Sequence, residues 1–297
     1  MSGSPEQERL IAALEHQLEE ARSKISALED QLIDAWQQVT DLRRDSLLQG
    51  QRLHQFDRVL SGLTYSADGL MTTKKNTAFL KDPRFQSAYQ AAMATGHRIE
   101  SGNNDGPDLH IEWRIAISCW AAHHARQLDG DFVECGTNTG MISSAICRYL
   151  DFNTVPKSFY MFDTFEGIPL DQVAIGEQPE MKAWMNERWY GDCYELARRN
   201  FEAFPGVQLV RGRVPESLPT VAIGQVAYLS IDMNVALPER AALEYFWPKM
   251  VPGGVVVFDD YGFEDHELQK AAHDEFASAH GLEIFLLPTG QGLLIKP

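Results

Sequence analysis

The sequence predicts an α/β fold, a doubly wound and mainly parallel sheet, preceded by an N-terminal coiled-coil helix. Three observations carry this. An unbroken apolar three-four repeat fills the first fifty residues. From about residue 111 onward, strand-like apolar runs alternate with helical segments. Each of those runs ends in a glycine or an acid, as strands do where a parallel sheet presents its carboxyl ends to a ligand. With 297 residues and a hydrophobic share of 44%, the chain can bury a full core. No apolar run nears the roughly 18 residues of a membrane span, so a soluble protein is expected.

The repeat runs through Ile11, Leu14, Leu18, Ala21, Ile25, Leu28, Leu32, Ala35, Val39 and Leu42. Charged and amide residues fill most flanking sites, and the pattern stops where Ser46 would be the next core position and Gly50 follows. So narrow a stripe suits a helical partner better than the broader stripe of a docked helix, and residues 1–50 are read as a coiled-coil oligomerisation helix that makes the protein a homo-oligomer. A long amphipathic helix folded back on its own domain is the alternative. Alanines at two d positions leave dimer against trimer open.

Residues 51–110 read as a helical cap or linker, with short helices in FDRVLSGL and DPRFQSAYQAAMAT and a loop at SGNNDGPD. Residues 111–297 form the α/β domain. Its strands are expected at 131–136, 158–163, 207–212, 226–232 and 254–260, and its helices at 109–127, 140–150, 191–203, 239–249 and 265–280. LEIFLLP and GLLIKP, around the turn TGQG, close the chain as a hairpin.

A formal charge of -16 argues against nucleic acid, because phosphate contacts need clustered Lys and Arg. Cys119, Cys135, Cys147 and Cys193 show no metal-type spacing and read as buried reduced thiols. The opening MSGSPEQERL resembles neither a secretory signal nor a transit peptide, which favours a cytoplasmic location.

The chemistry gathers at the strand ends. The first strand runs into E-C-G-T-N-T-G, where Gly136 allows a tight turn and Gly140 lets a helix begin close to a ligand. The second ends in Asp163, an acid suited to accepting both ribose hydroxyls. Asn138 occupies the middle glycine position of the dinucleotide motif, which weighs against an oxidoreductase. Asp232 closes the fourth strand, and Asp259 and Asp260 close the fifth, so neighbouring strands deliver three carboxylates to one rim. Such a set repels itself unless a cation or hydrogen bonds offset it, and an oxygen-only set suits Mg²⁺. Helix capping is the plainer role for one or two of these acids. His266 follows the DDYG turn within reach of the rim and competes with Asp232 for the role of base, whereas His123, His124 and His273 read as helix residues. No G-x-S-x-G elbow follows any strand, which disfavours a serine hydrolase.

DFVECGTNTGMIS, FYMFDTFEGIP, VQLVRGRVPESLP, YLSIDMN and EYFWPKMVPGGVVVFDDYG together resemble, in order and spacing, the macrocin O-methyltransferase family, metal-dependent methyltransferases of macrolide sugars. The likeness covers roughly Glu112 to the C-terminus. It implies a class I methyltransferase sheet of about seven strands whose last hairpin adds an antiparallel strand. By the same resemblance S-adenosyl-L-methionine rests on Glu134, Gly136, Thr137 and Gly140, with its ribose on Asp163 beside Thr164 and its adenine near Gly212 and Arg213. Mg²⁺ is then held by Asp232, Asp259 and Asp260, with Asp232 also the general base, and the acceptor is a small-molecule or glycan sugar. Two features depart from the family. Asn234 stands where the second acid of I-D-x-D is usual, and the insert DQVAIGEQPEMKAWMNERWYGD matches only loosely. Trp184, Trp189 and Tyr190 in that insert are candidates for an aromatic lid over a sugar face. The competing functions are a degenerate methyltransferase-fold scaffold assembled by its coiled coil, and a dinucleotide-dependent oxidoreductase.

Overall fold

The computed structural model describes residues 62–98 and 108–297, together with scattered helical positions between Glu19 and Arg43. Ile11, Leu14, Leu18, Ala21 and Ala35 of the repeat, most of FDRVLSGL and most of SGNNDGPD lie outside the described residues. The chain divides into two units, Met1–Leu63 and Thr64–Pro297. In the first, the described repeat residues Ile25, Leu28, Leu32, Val39 and Leu42 are helical and exposed.

The elements of the second unit begin with a hairpin, β1 (Leu63–Ala67) and β2 (Leu70–Thr73), followed by α1 (Pro83–Met93) and α2 (Glu112–Ala125). The α/β alternation then runs β3 (Asp131–Cys135), α3 (Met141–Leu150) and β4 (Phe159–Asp163). The insert carries α4 (Pro179–Arg188), and α5 (Tyr194–Asn200), β5 (Val207–Arg211) and β6 (Val226–Ile231) follow. The chain ends with α6 (Ala236–Phe246), β7 (Met250–Phe258), α7 (Glu267–Ala279), β8 (Phe285–Leu286) and β9 (Gly292–Ile295). Two elements differ from the sequence reading. Residues 63–73 form a hairpin around an Asp68-Gly69 turn, both residues at positive φ, where a helical cap was expected. The insert, to which the sequence reading assigns no element, contains a ten-residue helix.

One seven-stranded sheet, in the order β5-β4-β3-β6-β7-β9-β8, organises the unit. Strands β3 to β7 pair in parallel, and β9 runs antiparallel to both its neighbours. Both faces are covered, so the strands read as continuous apolar runs, and alternate residues feed two cores. Phe132, Phe159, Met161 and Val257 face α1, α2 and α3, whereas Val133, Phe162, Leu229 and Val256 face α6 and α7. The strand order reverses between β3 and β6, where a doubly wound sheet opens its ligand crevice. The cysteines are free, Cys119, Cys135 and Cys147 being buried. Among the described residues no helix is long and apolar enough to cross a membrane.

A buried polar knot fixes the turn after β6. Glu239, in the first turn of α6, accepts the Met233 N–H at 3.0 Å and the Gln269 amide at 2.8 Å on one oxygen, and meets His273 Nε2 at 2.9 Å on the other. His273 is therefore a structural partner, fully buried and outside the crevice. Glu239→Ala leaves three buried polar groups without partners and is expected to cost about 3 kcal/mol in urea unfolding, with Glu239→Gln costing less.

Candidate functional site

A cavity of about 1260 Å³ opens at the carboxyl ends of β3, β4, β6 and β7. Glu134, Gly136, Thr137, Asp163, Thr164, Gly212, Asp232, Asp259 and Asp260 all line it, so the sheet gathers most of the residues singled out in the sequence. Gly140 and Arg213 are not among its walls.

The glycine loop is held from two sides. Gly136 has φ +90°, and a Cβ there would lie 1.7 Å from the Asp232 carbonyl oxygen, so the loop and the turn after β6 touch through backbone. Asp163 accepts the N–H groups of Thr137 at 2.6 Å and Asn138 at 2.7 Å on one oxygen, and that of Phe165 at 2.6 Å on the other. Its first task is thus to shape the loop, with lone pairs left for a ligand. Gly140 serves packing: at φ +84° it starts α3, and a Cβ would strike the Phe201 ring at 2.2 Å. Arg213 turns outward and forms a two-oxygen ion pair with Asp171 at 2.7 and 2.8 Å, because the chain after β5 exposes its side chain. Glu134 is buried, accepts the Ser143 hydroxyl, and has its carboxyl pushed up to about 8 by burial. Thr137 Oγ1 and Asn138 Nδ2 are buried without partners, as befits a loop shaped for a polar ligand.

The acids on the other wall are crowded. Burial, then Asp259 and Asp260, drive the Asp232 carboxyl well above the carboxylate range, and burial followed by Asp259 raises Asp260. Arg114 of α2 answers part of this charge, pairing with Asp259 and lying 3.4 Å from Asp260. Gln291 donates to the other Asp259 oxygen at 2.9 Å. His266 lines the cavity 3.7 Å from Asp260, its Nε2 buried and unpartnered. Asn234 lies 3.4 Å from Asp232. Among the described residues, Asp232, Asp259 and Asp260 do not form a group of three ligand atoms lying within 4.8 Å of one another; Asp108, His110 and Glu112 do, and His110 and Glu112 line the same cavity. That group is already tied down, since Tyr89 donates to Asp108 at 2.5 Å and Tyr65 to Glu112 at 2.7 Å, fastening α1 and the hairpin to the start of α2.

Three wall residues escape a sequence reading. Asp68 sits at the hairpin turn, and burial pushes its carboxyl up to about 6. His97 has a buried, unpartnered Nδ1 and is held down to about 4 by burial and then by Arg114. Arg114 carries the one available signal, a lone arginine inside the apolar helix EWRIAISCWAAHHA. From the insert, Trp189 and Tyr190 reach the cavity, whereas Trp184 stays outside, packed edge-on against Trp189 at 4.9 Å. His123 and His124 lie on α2 away from the cavity, beside Arg84 and the Gly253 carbonyl.

The fold is that of the O-methyltransferases: the solved structure of the O-methyltransferase NovP matches with a TM-score of 0.58 at 22% identity, over 74% of this chain and 99% of that one. The macrocin-O-methyltransferase (TylF) family model matches residues 116–287, more than half the chain, and the chain belongs to that family. A relative from Streptomyces olivaceus, 8-demethyl-8-(2,3-dimethoxy-alpha-L-rhamnosyl)-tetracenomycin-C 4'-O-methyltransferase, is 28% identical over 49% of this chain. Mycinamicin III 3''-O-methyltransferase from Micromonospora griseorubida is 25% identical over 52% of it. The chain spans 57% and 62% of the lengths of these two curated relatives.

The pH dependence of stability follows from the buried acids. Glu134 has a folded-state pKa of about 8 against 4.5 unperturbed, so between those values the folded chain binds more protons than the unfolded one. Stability is therefore fully present below about pH 4.5 and is lost as pH rises through about 8, and Asp68, Asp232 and Asp260 act with the same sign. Thermal midpoints of the ligand-free protein should fall from pH 5 to pH 8, and Glu134→Gln should flatten that slope.

Proposed function

We propose that this protein is an S-adenosylmethionine-dependent O-methyltransferase that acts, with Mg²⁺, on a hydroxyl of a sugar or related diol. One observation carries the reading: a single cavity joins the glycine loop after β3 to the carboxylates that end β6 and β7. Family membership and the rhamnosyl compound in the name of one relative support it.

The residues fit the methyl donor. The unpartnered Thr137 and Asn138 side chains offer it polar contacts, Asp163 keeps lone pairs for the ribose, and Thr164, Phe165 and Gly212 wall the adenine side. Glu134, buried beside the loop, favours a cationic ligand that draws its proton off. Asp232, Asp259 and Asp260 fit a divalent ion by donor type, three carboxylates whose mutual repulsion a dication relieves. When bound, such an ion supplies positive charge that makes a neighbouring hydroxyl more acidic.

Asp232 is the proposed base. It lines the cavity at the end of β6, and its carboxylate, kept ionised by a dication beside it, is able to take the hydroxyl proton. The hydroxyl oxygen then attacks the donor's methyl carbon, forming a C–O bond as the C–S bond breaks, and the electron pair stays on sulfur. Trp189 and Tyr190 close one side with aromatic surface that suits the apolar face of a sugar and excludes water.

The test is methyl transfer from S-adenosylmethionine to a panel of deoxysugar glycosides, with and without a chelator. Turnover should vanish with chelator and return with Mg²⁺, and Asp232→Asn should lower kcat by about 10²–10⁴-fold with the donor still bound in calorimetry. Turnover that ignores the chelator would remove the ion from the mechanism, and failure to bind S-adenosylmethionine would remove the whole reading.

We infer further that residues 1–50 bring copies of the chain together. The support is the exposed apolar side chains of the helical residues Ile25, Leu28, Leu32, Val39 and Leu42 at three-four spacing. Light scattering should give a multiple of 33.4 kDa for the full chain and a monomer for a chain starting near Gln51. Equal states would refute it.

A further inference from the structure

The acids proposed to hold the divalent ion already have a cation among them. Arg114, the third residue of α2, is the one lysine or arginine among the cavity's described walls, and its side chain is only 16% exposed. Its Nη2 donates to Asp259 Oδ2 and lies 3.4 Å from Asp260 Oδ1. Its Nη1 is 4.0 Å from Asp68 Oδ1 at the hairpin turn, and its Nε is buried without a partner. With Gln291 on Asp259 Oδ1, both oxygens of that carboxylate are taken by protein donors. The Phe263 ring lies 5.0 Å from the guanidinium carbon and gives the planar group a face along which to turn.

We propose that Arg114 is a tethered counter-cation that competes with the divalent ion for Asp259 and Asp260, and that Asp68 is its second seat. The proposal rests on the metal-assisted reading. A guanidinium and a metal cannot use the same carboxylate oxygen at once, so the ion must free Asp259 Oδ2 before that oxygen can ligate. A dication outbids a single charge on this pair. The displaced guanidinium has a short path, because Nη1 already faces Asp68 and the unpartnered Nε leaves the group free to rotate. Two consequences follow. Without metal, Arg114 keeps the acid wall from flying apart. With metal, Arg114 draws on Asp68 and pulls the β1–β2 hairpin down over the cavity it lines, so ion occupancy and the acceptor's entrance are linked.

The experiment is titration of the full chain with Mg²⁺ by calorimetry, paired with thermal unfolding at zero and saturating Mg²⁺, for the wild type, Arg114→Gln and Asp68→Asn. Arg114→Gln should melt lower without Mg²⁺, gain more from its addition, and bind it about tenfold more tightly, since the competitor is gone. Asp68→Asn should bind Mg²⁺ several-fold more weakly, because the guanidinium loses the seat to which it retreats. These opposite signs separate competition from scaffolding, as loss of a merely structural ion pair would weaken Mg²⁺ binding in both variants. Mg²⁺ affinity unchanged or weakened in Arg114→Gln overturns the proposal while leaving the metal reading intact. If Arg114→Gln fails to fold, Arg114→Lys, which lacks the fork of two terminal nitrogens that reaches Asp259 and Asp68 together, should still bind Mg²⁺ about threefold more tightly. Absence of Mg²⁺ uptake by all of these proteins overturns the metal reading itself.

Discussion

The site depends on one electrostatic constraint: neighbouring parallel strands deliver three carboxylates to the same rim, and something positive has to stand among them. The constraint arises in the topology. Strands β6 and β7 pair in parallel with register Ile231 to Phe258, so the residues that follow them, Asp232 and Asp259-Asp260, emerge side by side from the sheet. At an effective dielectric constant near 20, two like charges 4 Å apart repel by about 4 kcal/mol, a large fraction of the net stability of a domain. Protonation, a guanidinium and a divalent ion are the available remedies. The raised carboxyls of Asp232 and Asp260 reflect the first, and Arg114 is the second.

The opposite wall uses the same economy of backbone. Asp163 at the end of β4 spends its oxygens on three N–H groups, so the loop after β3 is shaped by an acid from the next strand and not by its own side chains. Gly136 then brings this loop against the Asp232 carbonyl, where no Cβ fits. The glycine loop and the acid-bearing turn are therefore in direct backbone contact. A shift in the turn after β6, which the buried Glu239 fastens to α6 and α7, would be felt in the glycine loop.

How much of this could be read beforehand follows from period and burial. Strands β3, β4, β6 and β7 are apolar runs with both faces covered, and acids stand where the last three of these runs stop, so strands and acids were legible together. The β1–β2 hairpin was not read, although its Asp68-Gly69 turn is the dipeptide that such turns favour, because only four and five residues flank it. Helix α4 has an almost unpatterned surface, with Lys182 and Met185 buried, and so lacks the apolar stripe that announces a helix. Arg213 follows a strand end in the expected place but turns to Asp171, and Gly140 answers to Phe201. Both depend on partners distant in sequence, which spacing alone does not reveal.

Under the proposed function, long-range pairing also places acceptor selectivity outside the sheet. The insert is pinned by polar anchors to both acid-bearing turns: Glu177 accepts the Ala236 N–H at 2.6 Å just after β6, and Gln178 donates to Asp265 at 2.9 Å just after β7. Asn186 holds Ile168 through both its N–H and its carbonyl, at 2.7 and 2.8 Å, which closes the insert's own base. Trp189 and Tyr190 are thus carried on a segment held by the buried Glu177, by the Asn186 amide on the Ile168 backbone and by a surface bond from Gln178 to Asp265. Its exposed side chains remain free to vary. The sheet fixes where charge accumulates, and the insert and hairpin decide what can approach it. Under the proposed function, a change of acceptor calls for new residues on those two segments and none at the strand ends.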